Sequence, residues 1–278
     1  MRIGAHVSIA GGIINVIPRA LAIGANTIQI FLSAPKNWNL IKITDDEAAN
    51  FKKLASKNNI HPIFAHSIYL VNVASENSEL INKSEASLID YLNTSAKLGC
   101  VGVIFHIGSS KNKTFNQIKN RIITHINNVL EHSNPKSLLI IETNAGQGNC
   151  IGSTFSQINE ILNGINEKSR MGVCLDTAHI YESGYDLSSD PKLILQQFDS
   201  QIDLKYLKVI HCNDSKSGLN SKVDRHENIG EGKIGSQAFK QLLHLPALSE
   251  IPFILEVPGF NNDGPDKRNI EILKSLAS

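Results

Sequence analysis

A short apolar, β-branched run recurs eight times along this chain, with helical stretches between the runs, and this alternation limits the possible folds more than any other feature. The runs are Ile3–Val7, Thr27–Leu32, Pro62–His66, Val101–Ile107, Leu138–Glu142, Met171–Asp176, Leu207–Cys212 and Pro252–Val257. Each has the length and composition of a strand buried on both faces. Helical periodicity marks the segments Ile14–Ile23, Asp46–Asn58, Glu79–Leu98, Asn116–Glu131, Thr154–Asn163, Pro191–Phe198, Ser236–Leu243 and Asp266–Leu276. Thr154 stands three residues before Gln157 as a helix-capping pattern, and Gly24 and Gly99 follow apolar stretches as stops. No Pro/Gly/Ser-rich linker separates halves of the chain. The expected fold is α/β, a (β/α)8 TIM barrel forming one domain over residues 1–278. A doubly wound open sheet is the alternative, but Gly11-Gly12 alone is too weak a phosphate loop to support it.

Composition excludes some functions and leaves others open. With 41% hydrophobic and 19% charged residues among 278, the chain can bury a large core. A net charge of +1 gives no global basic field, although one face can be positive while the total is near zero. The start, MRIGAHVSIAGG, lacks an apolar signal region, and no run of about 18 apolar residues occurs, so a cytoplasmic protein is expected. Cys100, Cys150, Cys174 and Cys212 form no CxxC pair and read as reduced, largely core residues.

The strand ends carry the chemistry. His66, His106, Glu142, Asp176, His211 and Glu256 end or directly follow six of the eight runs. In a barrel these positions converge on the C-terminal rim, where active sites form. Asp176 pairs with His179 in DTAH, and Asp224 with His226 in DRH. An i, i+2 pair in extended chain points both side chains to one side. Taken singly, a strand-end histidine is usually a hydrogen-bonded structural residue, and the aspartate of DTAH is better read as a helix N-cap. Taken together, so many ionisable groups at one barrel mouth are costly to bury unless cations bind them. Mixed imidazole and carboxylate donors suit zinc, with manganese or iron as substitutes. His6, in GAHVS, has a supporting or substrate-facing reading beside a ligand one. His61, His125, His132 and His244 fall at strand starts or in helical stretches and read as structural.

The chain resembles endonuclease IV, the zinc-dependent apurinic/apyrimidinic endonucleases of the AP endonuclease 2 family. The motifs GAHVSIAGG, FAHSIYLVN, FHIGS, IIETNAGQG, CLDTAHIYESGYD, VIHCNDS, DRHENIGEG and ILEVPG carry the resemblance, and they span nearly the whole chain. The resemblance implies three zinc ions per chain. One takes His66, His106 and Glu142; a second shares Glu142 and adds Asp176, His211 and Glu256; the third takes His179, Asp224 and His226. It also implies hydrolysis 5′ to an abasic nucleotide in double-stranded DNA, with Glu142 and Glu256 at the reacting centre, and possible action on blocked 3′ ends. Tyr69, Leu70, Lys36 and Arg225 would contact the DNA. Lys36 stands where the family often has arginine, which keeps the charge but loses the planar, bidentate guanidinium. A monomer is expected, because a duplex needs an open face. The competing reading is a sugar isomerase or epimerase on the same kind of barrel, with one or two metals. A metal-stabilised binding protein is more distant, since it has no use for so many ligands at one rim.

Overall fold

The computed structural model describes residues 1–34 and 37–278. Lys36 therefore lies outside the described residues. Eight parallel strands follow the apolar runs: β1 (Ile3–His6), β2 (Ile28–Phe31), β3 (Ile63–His66), β4 (Gly102–Phe105), β5 (Leu138–Glu142), β6 (Met171–Asp176), β7 (Leu207–His211) and β10 (Phe253–Leu255). Among the described residues they close a barrel in the order β1-β10-β7-β6-β5-β4-β3-β2. All eight expected strands are present, two with the expected bounds and six trimmed at their ends, and the barrel is the expected fold.

The helices surround the barrel: α1 (Val16–Ile23), α2 (Asp45–Lys57), α3 (Ser78–Leu98), α4 (Phe115–Glu131), α5 (Phe155–Asn163), α7 (Pro191–Ile202), α8 (Ser236–Leu243) and α9 (Lys267–Leu276). Their limits follow local chemistry. Thr154 Oγ1 accepts from the Gln157 amide at 3.2 Å as expected, but Gln157 turns its own side chain to the Gly152 amide, so the cap is one-sided. Gly24 and Gly99 end α1 and α3 with φ of 79° and 73°, in the left-handed region where glycine carries no Cβ penalty. Among the described residues no helix is long and apolar enough to cross a membrane.

Two elements depart from the sequence expectation. A short helix, α6 (Thr177–Ser183), follows β6 at once, and β8 (Asp214–Ser215) pairs antiparallel with β9 (His226–Glu227) inside the long polar connection after β7. Both are too short for periodicity to reveal. Tertiary hydrogen bonds specify the second. Buried Asp214 accepts from the amides of Gly230 (3.0 Å), Gly232 (3.1 Å) and Ile234 (3.0 Å), tying down the far arm of the connection. A Cβ at Gly232 would stand 2.4 Å from that carboxylate, so only glycine fits there.

Strand pleating then places the chemistry. Phe64, Ile104, Ile140, Cys174, Val209 and Ile254 form an apolar plug inside the barrel. Two residues further along the same strands stand His66, His106, Glu142, Asp176, His211 and Glu256. Successive side chains alternate between faces, so the plug residues and the ionisable residues share the inward face and form consecutive layers. The apolar runs and their polar ends are thus one pattern.

Candidate metal centre

Glu142, fully buried at the end of β5, lies at the centre of the cluster. Its Oε2 stands 2.9 Å from His66 Nε2 and 3.3 Å from His106 Nε2. Its Oε1 stands 2.8 Å from His211 Nδ1. The two oxygens of one carboxylate therefore face two separate groups of donors. The second group is completed by Glu256 Oε2, 3.3 Å from His211 Nδ1, and Asp176 Oδ2, 3.9 Å from it. Donor atoms of His66, His106 and Glu142 lie within 4.8 Å of one another, and so do those of Glu142, Asp176, His211 and Glu256.

A third group sits where α6 meets the β8–β9 hairpin. Asp176 caps α6, its Oδ1 accepting from the His179 amide at 2.8 Å. The N-cap reading of DTAH is therefore also true of this chain, and capping uses Oδ1 while Oδ2 faces the cluster. One helical turn brings His179 to the same side. Its Nε2 stands 3.4 Å from Asp224 Oδ1, and His226 Nε2 stands 3.6 Å from the same oxygen and 3.7 Å from Asp176 Oδ2. Asp176, His179 and His226 form a compact trio, with Asp224 half-exposed at its edge.

These spacings fit cations. Two donors bound at about 2.0–2.2 Å to one tetrahedral zinc stand roughly 3.3 Å apart. Among the described residues, the buried Nε2 atoms of His179 and His226 have no hydrogen-bond partner, although carboxylates face them at about that spacing. The remaining ring nitrogens are engaged elsewhere. His66 Nδ1 donates to the Ser67 carbonyl at 2.7 Å and His179 Nδ1 to the Thr143 carbonyl at 2.9 Å, which turns each Nε2 toward the carboxylates as the ring nitrogen available to a cation. Electrostatics agree. Burial works against charge on Glu256, yet His211, His6 and His66 outweigh it and hold the carboxyl well below the usual carboxylate range. For Asp224 burial is likewise overcome by His179, which holds the carboxyl down at about 2. Burial pushes the Cys174 thiol up to about 12, so this plug residue beneath Glu142 and His211 stays protonated.

The other candidate residues are placed as follows. His6 Nδ1 lies 3.6 Å from Glu256 Oε1, beside the second group. Tyr69 is 64% exposed at the rim, edge-on to Phe31 at 5.5 Å, while Leu70 is half-buried against the core. The exposed Arg225 folds back to donate to the Asp224 carbonyl at 2.7 Å. His125 pairs with Glu85 between α3 and α4, and His132 and His244 bond helix carbonyls, away from the cluster. A groove of about 810 Å³ opens beside His6 and Phe31 and carries Arg19 and Lys42 on its walls.

Sequence reasoning missed Gln29, Asn213 and Glu182. Gln29 sits in TIQIF on the inward face of β2, and the two-residue alternation was the signal that could have found it. Asn213 donates to Asp176 Oδ2 at 2.7 Å and accepts from the Glu256 amide at 2.7 Å, linking two members of the second group. Glu182, buried one turn beyond His179, accepts from Ser215 Oγ at 2.7 Å and from the Arg225 amide at 3.1 Å, clamping the segment that carries Asp224. Burial pushes its carboxyl from the ordinary 4.5 up to about 7. In protein stripped of cations, the folded chain keeps this proton where the unfolded chain has lost it. The associated stability is complete below pH 4.5 and is lost as pH rises through about 7. Glu182→Gln is therefore expected to match the parent near pH 4.5 and exceed it above pH 7 by about 3 kcal/mol. Urea unfolding at the two pH values checks this, and a difference independent of pH would refute it.

Comparison with known proteins gives a consistent family. A family model described as a xylose isomerase-like TIM barrel, AP endonuclease family 2, matches residues 17–276. "Probable endonuclease 4" of Halothermothrix orenii is 40% identical, over 99% of both chains. The protein of the same name from Buchnera aphidicola is 41% identical, over 91% of this chain and 92% of its own. Endonuclease IV of Thermus thermophilus superposes with a TM-score of 0.89 at 33% identity, covering 99% of this chain and 98% of its own. D-psicose 3-epimerase of Clostridium cellulolyticum reaches 0.68 at 15% identity over 100% and 96%, a likeness of fold alone.

Proposed function

Because the chain belongs to the endonuclease IV family, we propose that it is a DNA-repair enzyme that hydrolyses the phosphodiester 5′ to an abasic site. The products are a 3′-hydroxyl and a 5′-deoxyribose phosphate, and blocked 3′ ends are a second substrate class. Three zinc ions per chain serve the reaction, with manganese or iron as substitutes. His66, His106 and Glu142 hold one; Glu142, Asp176, His211 and Glu256 hold the next; His179, Asp224 and His226 hold the third, with Asp176 alongside. The observation that carries this reading is Glu142, whose two oxygens face different donor groups 2.8–3.3 Å away. Such a shared carboxylate suits a multinuclear centre of the kind that clamps both ends of an in-line displacement at phosphorus.

When bound, zinc supplies Lewis acidity toward the scissile phosphate and a lowered pKa for water. Three dications bring six positive charges and the four ligand carboxylates return four, so the mouth keeps about two positive charges for a phosphodiester. Glu256 holds the attacking water through its carboxylate, and Glu142 keeps the donor groups at fixed separation. Tyr69 and Leu70 fill the space left by the missing base, and an abasic nucleotide leaves the stack more cheaply than a paired one. Arg225 and Lys36 contact phosphates. The chain acts as one barrel domain over residues 1–278, as a cytoplasmic monomer.

The test is a duplex with one tetrahydrofuran abasic analogue, incubated with zinc-loaded protein with and without a strong chelator. Scission 5′ to the analogue that the chelator abolishes is expected, and an uncut strand with three bound metals refutes the reading. Tyr69→Ala is expected to weaken binding to abasic duplex by about tenfold while leaving intact duplex unchanged, from the roughly 1–3 kcal/mol typical of aromatic–base contacts. Fluorescence anisotropy with both duplexes checks it, and equal affinities for wild type and variant would remove Tyr69 from recognition.

A further inference from the structure

Gln29 connects two members of the second donor group through a single amide. It is fully buried on β2, and its Nε2 donates to Glu256 Oε1 at 2.5 Å. His211 Nε2 donates to its Oε1 at 2.6 Å. The second amide proton points to His6 Nδ1 at 3.0 Å. The circuit closes on the far side, where Glu256 Oε2 meets His211 Nδ1 at 3.3 Å.

The amide can sit only one way round. An ionised carboxylate accepts and does not donate, so the Gln29 nitrogen must face Glu256. Its oxygen then faces His211 Nε2, which must carry a proton, so Nδ1 is the ring nitrogen that can give its lone pair to a cation; with no cation between them it donates to Glu142 Oε1 at 2.8 Å. That atom faces Glu142, Glu256 and Asp176. The same amide pins one Glu256 oxygen and leaves Oε2 directed at the centre.

We propose that Gln29 is a positioning residue that selects Nδ1 of His211 and Oε2 of Glu256 as ligand atoms for the middle cation. This rests on the metal-centre part of the proposed function. Metal-bound histidines generally donate their other ring N–H to a partner, and loss of that partner lowers metal affinity about 10–100-fold. Leucine at position 29 has similar bulk but neither accepts from His211 nor donates to Glu256. Glutamate restores an acceptor for His211 but no donor for Glu256, which separates the two roles.

The experiment uses the full chain, without DNA. Zinc affinities are measured by chelator competition, and the His211 ring N–H is followed by NMR in zinc-loaded, 15N-histidine-labelled protein. In Gln29→Leu one of three zinc ions is expected to bind about 10–100-fold more weakly, with the other two within about twofold of wild type. Protection of the His211 Nε2 proton from exchange should fall as well. Gln29→Glu should restore that protection, and it keeps the test available if the leucine variant does not fold. Three unchanged zinc affinities in Gln29→Leu, or an unchanged His211 proton, overturn the proposal, as does a leucine variant that weakens all three sites equally. Protein that shows the expected zinc and NMR results but leaves abasic strands uncut would refute the proposed function and leave this inference standing.

Discussion

Glu142→Gln is expected to slow abasic-strand scission by about a thousandfold or more, on the order of 4 kcal/mol of lost transition-state stabilisation. The substitution changes one oxygen to nitrogen with almost no change in volume. An amide nitrogen has no lone pair for a cation, so only one of the two donor groups keeps its oxygen ligand from position 142. The side chain is fully buried. His66 and His106 on one side, and His211 on the other, would no longer share a charged acceptor. Single-turnover cleavage of the abasic duplex, with zinc counted per chain, measures the effect. A variant that keeps more than a tenth of wild-type activity with three zinc ions would show that the shared carboxylate is not the hub of the reaction.

Arg170→Ala is expected to destabilise the fold by about 3 kcal/mol although it lies far from the cluster. Arg170 is buried just before β6, at the opposite end of the barrel from the ionisable cluster. Its guanidinium donates to the Leu130 carbonyl near the end of α4, to Ser133 Oγ and the Asn134 carbonyl at 2.9 Å, and to the Ser137 carbonyl at 3.4 Å. These acceptors belong to the turn that feeds β5. Removing the guanidinium takes away all of these bonds; the Leu130 and Asn134 carbonyls keep local partners at 3.3–3.4 Å, so the loss is the sum of several charge-assisted hydrogen bonds at about 1 kcal/mol each. Denaturant unfolding measures the loss, and zinc affinity should stay within a few-fold because the rim is untouched. An unchanged unfolding midpoint, or a loss confined to zinc binding, would contradict this account.

The rim cluster was legible because strand pleating is periodic. His66 follows Phe64 by two residues, and Glu142 follows Ile140 by the same step, so the apolar run already tells which face the ionisable residue takes. The same rule reaches Gln29, but a glutamine between isoleucines carries no charge to draw attention to it. Glu182 and Asp214 were hidden for another reason. Their partners are backbone amides and hydroxyls 33–43 residues away for Glu182 and 16–20 residues away for Asp214, and spacing holds no trace of such pairings. Helix α6 and the β8–β9 hairpin are too short for hydrophobic periodicity; the Asp176 cap signals the first locally, and long-range hydrogen bonds define the second.

The sequence by itself determined the barrel, the inward layer of ionisable side chains and the family motifs, because alternation along a strand and along a helix is a local property of the chain. Tertiary structure alone decided how the layer divides. Which Glu142 oxygen faces which histidines, where the second Asp176 oxygen turns, and which nitrogen of His211 faces the carboxylates all depend on contacts closed across the barrel. The physical reason is that a ligand atom is chosen by the hydrogen bond its side chain makes on the other side, and that partner comes from a different strand.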